Sequence, residues 1–331
     1  MEEFLSVNKL NVHFRTREGQ LHAVRDLFLT MEKGESLGLV GESGSGKTVT
    51  AMTLMQLVQS PPGKVEGKVE FLGRDILAMS DPEIRRIRGN EIAMIFQEPM
   101  TSLNPIHNCG KQIMESLILH KGMTKKEARE RTLELMTLTG IPSANTRVKD
   151  FPHQLSGGMR QRVMIAMALA CQPKLLIADE PTTALDVTIQ AQILDLIKKL
   201  RQETGAAVLL ITHDMGVIRE MCGRVAVMYA GQIVEIAGVE DLFKKPLHPY
   251  SEVLLYSIPL LERKQDRLFA IKGMVPNPFD LPKGCAFAPR CGYAAEKCRR
   301  EAPELAGDSR KVRCFFWKER LQEERSTLYE I

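Results

Sequence analysis

Three short segments of the sequence combine residue types that bind phosphate or move protons. The first runs Gly41-Glu42-Ser43-Gly44-Ser45-Gly46-Lys47-Thr48. Its glycines let backbone N–H groups face an anion, and a helix start adds partial positive charge. The lysine can reach the β- and γ-phosphates of a nucleotide, and the threonine hydroxyl can bind Mg²⁺. This segment therefore predicts a nucleotide phosphate site.

The second segment is the apolar run from Leu175 to Ala178, which ends in Asp179 and Glu180. A buried strand exposes acids only at its tip. There Asp179 can hold Mg²⁺ through water, and Glu180 can take a proton from an attacking water. An acid pair after an apolar run also occurs at ordinary helix N-caps, so its significance depends on the phosphate loop.

The third segment, Leu155 to Arg162, places Ser156, Gly157 and Gly158 at the start of a predicted helix. Such a start exposes backbone N–H groups and predicts a second anion site within one chain. Seen alone, the segment is more typical of an ordinary capped helix.

The elements predicted around these segments form a doubly wound α/β core. Continuous apolar runs predict buried parallel strands at 36–40, 175–178 and 206–211. Helical periodicity predicts helices at 48–58, 158–170, 187–204 and 215–221. Strands alternating with crossover helices favour a parallel sheet.

Two further groups of elements flank that core. Strands are predicted at 4–14, 22–30, 65–75 and 91–97, the first two from alternation of apolar and polar residues. Helices at 110–120 and 124–139 predict a helical insert between two halves of the core. The proline-containing stretch 244–284 predicts a linker that runs over the surface.

Composition sets limits on partners and location. The 331 residues are 44% apolar and 26% charged, with a net charge of only +4 and no clustered basic face, so no nucleic-acid partner is predicted. The acidic start Met1-Glu2-Glu3-Phe4 does not fit a secretory signal, and no apolar run approaches the roughly 20 residues of a membrane helix. We expect a cytosolic chain, or one that reaches a membrane only through a partner.

In their order along the chain, the motifs resemble those of the ATP-binding-cassette family. Leu155 to Met159 resembles the family signature, and Gln97 resembles its Q-loop glutamine. Ala184-Leu185-Asp186 is similar to the D-loop, and His213 to the switch histidine. Met159 and Thr183 depart from the commonest family residues without removing a phosphate ligand, which suggests a subfamily.

This resemblance implies a P-loop NTPase nucleotide-binding domain at 1–240, with a parallel-sheet core, an antiparallel subdomain and a helical subdomain at about 100–160. It implies nucleotide contacts from Phe14, Gly41, Ser43, Gly44, Ser45, Gly46, Lys47, Thr48, Val49, Ser156, Gly157, Gly158 and Asp186. It implies magnesium ligands at Thr48, Gln97 and Asp179, and catalytic roles for Glu180, His213 and Gln97. Phe14 could instead be a core residue of the first hairpin, and a histidine at a strand end could cap the next helix.

Three stretches narrow the resemblance to importers of oligopeptides, dipeptides and nickel. They are Phe96 to Pro105, Phe151 to Met159 and Lys245 to Tyr250. For a peptide importer, the resemblance implies two transmembrane permease subunits, a second identical or related ATPase subunit, and an extracytoplasmic peptide-binding protein. It places the chain at the cytoplasmic face of the inner membrane. A nickel importer ATPase, an exporter ATPase and a soluble cassette protein that acts on DNA or ribosomes are the alternatives.

Residues 241–331 then form a proline-rich linker and a cysteine-rich tail, a small C-terminal extension. The spacing Cys285-x5-Cys291-x6-Cys298-x15-Cys314 lacks the tight step of common zinc knuckles. Four thiolates can bind a [4Fe–4S] cluster or Zn²⁺, and the resemblance to peptide importers implies the cluster. Free surface thiols are the remaining alternative. We expect the basic neighbours to offset the thiolate charge; they are Arg290, Lys297, Arg299, Arg300 and Arg313.

Overall fold

The computed structural model describes residues 4–98, 102–182, 187–256 and 273–322. The chain divides into two compact units. The first comprises Met1–Met31, Ser36–Leu77 and Thr212–Ile331, and the second Glu32–Glu35 and Ala78–Ile211. The tail after residue 240 thus shares a unit with the phosphate loop, and the domain boundaries predicted from the sequence stay a prediction.

The first unit contains a four-stranded antiparallel sheet in the order β2-β1-β4-β5. Its strands are β1 (Leu5–Thr16), β2 (Gly19–Met31), β4 (Gly63–Phe71) and β5 (Arg74–Asp75). Alternating burial along β1 places Leu10 and Val12 in the core, as the alternating sequence pattern predicts. The strands predicted at 4–14, 22–30 and 65–75 are confirmed.

A second group of strands in the first unit holds the phosphate loop. Strand β3 (Ser36–Val40) is buried along its whole length and pairs in parallel with β9 (Arg224–Tyr229). Strand β10 (Gln232–Gly238) runs antiparallel to β9, and the short β11 (Lys311–Val312) pairs antiparallel with β10. Helix α1 (Lys47–Leu54) follows β3 after the loop, which gives the predicted strand–loop–helix order.

The stretch predicted as a surface linker is partly a buried helix, so that prediction is wrong. Helices α8 (Met215–Met221), α9 (Val239–Lys244) and α10 (Pro249–Tyr256) belong to the first unit, and Pro249 to Leu254 are buried. Proline is tolerated in the first turn of a helix because its missing N–H has no partner there. The Glu235 carboxylate accepts the N–H groups of Leu247 and His248 at 3.0 and 2.9 Å, which fixes the chain as it enters α10.

The cysteine-bearing end of the chain is built from short elements. They are a 3₁₀ turn (Ala288–Arg290), α11 (Glu296–Arg300), the strand β11 and α12 (Trp317–Gln322). Buried ion pairs tie this end to the rest of the first unit: Arg310 lies 2.6 Å from Glu235, and Arg320 lies 2.6 Å from Glu252.

The second unit combines three parallel strands with helices. The strands are β6 (Ile92–Ile95), β7 (Leu175–Asp179) and β8 (Ala207–Ile211), and β7 pairs with both others. The helices are α2 (Asp81–Ile87), α3 (Cys109–Lys121), α4 (Lys125–Leu138), α5 (Ala144–Arg147), α6 (Gly157–Leu169) and α7 (Val187–Thr204). The α/β class is confirmed.

The predicted helical insert has its own core within the second unit. Ile113, Leu117, Leu135 and Val163 are among the fully or almost fully buried side chains that pack there. The Thr124 hydroxyl and the Glu127 carboxylate form a capping box at the start of α4. Among the described residues, none of the helices has both the length and the apolar character needed to span a membrane.

Candidate nucleotide site and cysteine pocket

The phosphate loop, residues 41–48, follows β3 and runs into the first turn of α1 in the first unit. Gly44 and Gly46 have φ angles of 77° and 100°, a region that side-chain-bearing residues rarely adopt. A Cβ at Gly46 would lie 2.5 Å from the Ala23 carbonyl oxygen, so only glycine fits. The loop therefore has the bare, left-handed backbone that an anion-binding loop requires.

The lysine of the loop is held inside it. Lys47 is buried, and its Nζ donates to the carbonyl oxygens of Gly41 and Glu42 at 2.8 and 3.0 Å. Thr48 is exposed in the first turn of α1, where its hydroxyl oxygen is a hard donor of the kind that Mg²⁺ prefers. The residues present therefore fit a nucleotide phosphate with its magnesium ion.

The other residues of this unit that are predicted to contact nucleotide differ in their solvent exposure. Ser43 is exposed, Ser45 is buried and Val49 is half-buried. Phe14 is half-buried on β1, opposite Leu21 of β2 and Gly63 of β4. Its predicted contact with adenine and its alternative role in the hairpin core both stay open.

The predicted acids lie at the end of β7 in the second unit. Asp179 is the last residue of the strand and is 1% exposed. Glu180 follows with a φ of 45°, which costs a non-glycine residue conformational energy and is typical of functional positions. Its N–H donates to the Ile211 carbonyl oxygen at 2.8 Å, which holds this conformation.

Two of the predicted catalytic residues contact each other. Gln97 is exposed two residues after β6, and its Nε2 donates to the Glu180 Oε2 at 3.0 Å. The parallel pairing of β6 with β7 brings these strand ends to the same edge of the sheet. Sequence reasoning placed both residues in the site without predicting this hydrogen bond.

The predicted signature begins helix α6. The Ser156 hydroxyl accepts the Met159 N–H at 3.3 Å, so Ser156 is the N-cap, and Gly157 is exposed in the first turn. The buried Gln161 amide donates to the Pro181 carbonyl oxygen at 2.6 Å, next to Glu180. Gln161 was not predicted as a site residue, since a glutamine inside a helix gives no sequence signal.

His213 is exposed in the first unit and follows the last residue of β8 by two positions along the chain. The alternative that it caps the next helix is wrong, because Asp214 is the N-cap of α8. The Asp214 carboxylate accepts the N–H groups of Gly216 and Val217 at 2.8 and 3.2 Å. The catalytic role of His213 stays a prediction, and Asp186 with the rest of the predicted D-loop lies outside the described residues.

The four predicted ligand cysteines line one pocket in the first unit. His248, Phe287, Tyr293 and Phe316 are among the other residues that line this pocket beside Cys285, Cys291, Cys298 and Cys314. Burial raises the pKa of the Cys291 thiol to about 12 and that of Cys314 to about 11. Four cysteines that line one pocket supply the kind of donor atoms that soft metal centres use, and the positive charge of such a centre would favour the thiolates. No group of metal-binding geometry with three or more His, Cys, Asp or Glu residues is found in the described ranges.

Three of the basic residues expected to offset the thiolate charge form ion pairs with carboxylates. Arg300 lies 2.8 Å from Glu296, and Lys297 lies 4.0 Å from Glu301. Arg290 pairs with Glu42 of the phosphate loop. Each of these three residues has a carboxylate partner, and the expectation that the basic neighbours offset thiolate charge stays a prediction.

Comparison with known proteins places these features in a family. Residues 24–183 match the family described as ABC transporter, and residues 234–298 match the family described as Oligopeptide/dipeptide transporter, C-terminal region. The oligopeptide transport ATP-binding protein AppD of Bacillus subtilis is 53% identical over 322 residues, which cover 96% of this chain and 98% of AppD. This chain belongs to the ATP-binding-cassette transporter family.

Two further relatives of this cassette ATPase support the same assignment. The dipeptide transport ATP-binding protein DppD of Escherichia coli is 47% identical, with 94% of this chain and 96% of DppD covered. Among solved structures, the dimeric post-hydrolysis state of the ATP-binding cassette MJ0796 bound to ADP and Pi is 30% identical with a TM-score of 0.65. It covers 71% of this chain and 98% of that cassette, so the cassette fold is shared.

Proposed function

We propose that this cassette ATPase is the ATP-hydrolysing subunit of an importer for oligopeptides or dipeptides. The observation that carries the proposal is the match of residues 234–298 to the oligopeptide/dipeptide transporter region, together with relatives covered over nearly their whole length. In this proposal the chain lies at the cytoplasmic face of the inner membrane and binds two transmembrane permease subunits there. An extracytoplasmic peptide-binding protein delivers the cargo.

The proposed chemistry assigns a step to each group. Lys47 and the loop N–H groups bind the β- and γ-phosphates. Thr48, Gln97 and, through water, Asp179 would hold Mg²⁺, which would neutralise charge that develops on the phosphates. Glu180 takes the proton of the attacking water, and the hydrogen bond from Gln97 orients its carboxylate. His213 contacts the γ-phosphate.

The proposed site is completed by a second ATPase subunit, either a copy of this chain or a related one. Ser156, Gly157 and Gly158 would contact the γ-phosphate of the nucleotide held by that subunit, and Asp186 would cross the interface. Ser156 and Gly157 are exposed at the start of α6, as such a contact requires. ATP binding then closes the two subunits and hydrolysis reopens them, which drives the permeases.

We further propose that residues 241–331 form a cysteine-rich extension whose four pocket cysteines hold a [4Fe–4S] cluster with a structural role. The convergence of all four on one pocket supports this proposal, and a single Zn²⁺ is the alternative. Anaerobic purification followed by iron and acid-labile sulfide assays tests it. Equal amounts of iron and sulfide, near four of each per chain, are expected, whereas a colourless protein with stoichiometric zinc would contradict the cluster.

The transport proposal is tested in an assembled complex. The tagged chain is co-expressed with candidate permeases and a candidate binding protein, purified and placed in proteoliposomes. We expect permeases to co-purify and ATP turnover to rise when a peptide-loaded binding protein is added. Stimulation by a nickel chelate but by no di- or oligopeptide would reject peptide import, and a Lys47→Ala complex controls for contaminating ATPases.

A further inference from the structure

The phosphate loop carries an acid in a position that opposes its function. Glu42 is the second residue of the loop, and a carboxylate there repels the phosphates that the loop binds. The Glu42 side chain is only 25% exposed, so water screens this repulsion less than at an open surface. A cation beside Glu42 would offset this repulsion.

Arg290 supplies that cation from the cysteine-bearing segment. Its two terminal nitrogens donate to the two carboxylate oxygens of Glu42 at 2.7 and 3.1 Å, a bidentate pair. The Arg290 side chain is 4% exposed, which makes this a buried pair between residues 248 positions apart in sequence. Its guanidinium also donates to the Tyr229 hydroxyl at 3.2 Å.

The backbone of Glu42 is fixed on both sides of the side chain. Its N–H donates to the Tyr250 hydroxyl oxygen at 2.9 Å, and its carbonyl oxygen accepts from the Lys47 Nζ at 3.0 Å. Glu42 is therefore one of the residues that position the lysine that binds phosphate. The Arg290 pair acts on the same residue that positions Lys47.

Arg290 is itself held by the fold around the cysteines. It ends the 3₁₀ turn that begins after Phe287, and Cys291 follows it directly. Phe287 packs against Tyr229 and Tyr250 with ring centroids 5.2 and 5.4 Å apart. The position of Arg290 thus depends on the segment that lines the cysteine pocket.

We propose that Arg290 is a charge-neutralising and positioning residue of the phosphate loop, which makes the cysteine-bearing segment part of the nucleotide site. This inference rests on the proposed nucleotide binding by residues 41–48 and adds a contributor from outside the cassette motifs. It follows that damage to the cysteine pocket weakens nucleotide binding, and that bound nucleotide stabilises the pocket by the same factor.

The test measures MgADP affinity by calorimetry on the full chain, purified anaerobically. We expect Arg290→Ala to weaken binding on the order of tenfold, because an uncompensated carboxylate remains in the loop. The double variant Arg290→Ala with Glu42→Gln should bind within about threefold of wild type, since no carboxylate is left to repel phosphate. Arg300→Ala, which removes an exposed arginine of the same segment, is the matched control and should bind as wild type does.

Rescue separates charge neutralisation from simple support of the fold. Wild-type affinity in Arg290→Ala would overturn the inference, and so would a loss that Glu42→Gln fails to rescue at unchanged metal content. Should Arg290→Ala not fold, Glu42→Gln alone decides: equal or tighter MgADP binding supports the inference, and clearly weaker binding overturns it. Failure of the wild type and of Arg300→Ala to bind MgADP would instead reject the proposed nucleotide function.

Discussion

The phosphate loop and the cysteine pocket lie in the same compact unit and are assembled in opposite ways. The loop takes its groups from eight consecutive residues, Gly41 to Thr48, and relies on backbone N–H groups and one lysine. The pocket takes four side chains from a turn, a short helix and the chain after β11. A contiguous site needs only local backbone geometry, whereas a dispersed one needs the whole surrounding fold.

The two sites also differ in what holds them. The loop is anchored by strand β3, helix α1 and glycines that no side chain can replace. The pocket is held by aromatic packing and by buried ion pairs such as Arg320 with Glu252. A substitution in the loop should therefore have a large effect that is confined to nucleotide binding and turnover. A substitution in the pocket should instead lower the stability of the fold.

The largest effect is expected in the loop itself. Lys47→Ala removes the buried ammonium group that reaches the phosphates, so ATP turnover should fall by about 10²- to 10³-fold. Metal content and the melting temperature should change little, since the pocket does not depend on this side chain. The matched control is Lys68→Ala, an exposed lysine on β4 paired with Glu70. Loss of metal in Lys47→Ala would break the contrast between the two sites.

A smaller effect on nucleotide binding but a large one on stability is expected in the pocket. Under the proposed cluster, Cys298→Ser removes the most buried of the four pocket cysteines, so bound metal should be lost and the melting temperature should drop by on the order of 5 °C. Metal assay and thermal denaturation measure both changes. Cys222→Ser, a cysteine of the same unit outside the pocket, should keep its metal. A metal-free Cys298→Ser variant with wild-type stability would contradict a structural role.

The smallest effect is expected at the contact that joins the two sites. Tyr250→Phe removes one hydroxyl from the Glu42 N–H and leaves every charge in place. MgADP affinity should fall by only about two- to fivefold, as for one neutral hydrogen bond. Calorimetry beside Tyr256→Phe, at the end of the same helix, checks this. A loss as large as that of Arg290→Ala would mean that packing, not charge, links the pocket to the loop.

Contiguous patterns were predictable to the residue. The predicted bounds are correct for strand β3 (36–40) and for helices α7 (187–204) and α8 (215–221). Each of these elements follows an uninterrupted sequence pattern. Helix α1 ends at Leu54 rather than at 58, since Gln56 adopts a left-handed φ of 50°. Helix α2 was not predicted, although Ser80 and Glu83 have the capping-box spacing that indicates the start of a helix.

Features that depend on tertiary contact had no sequence signal. The many prolines of 244–284 led to the prediction of a linker, although Tyr250, Val253 and Leu254 have helical spacing. In the structure these three side chains are buried on a helix. The hydrogen bond from Gln97 to Glu180 joins residues 83 positions apart. The Arg290 pair with Glu42 spans even more of the chain, and charge composition alone could not assign either partner.

The central claim is that this cassette hydrolyses ATP with Glu180 as the base that activates water. It is tested most directly by comparing wild type with Glu180→Gln in the assembled transporter, measuring MgATP binding and steady-state phosphate release together. We expect Glu180→Gln to bind MgATP with affinity near that of wild type while turnover falls by at least about 10²-fold, as expected for loss of a general base. Phosphate release at the wild-type rate in Glu180→Gln would contradict the claim.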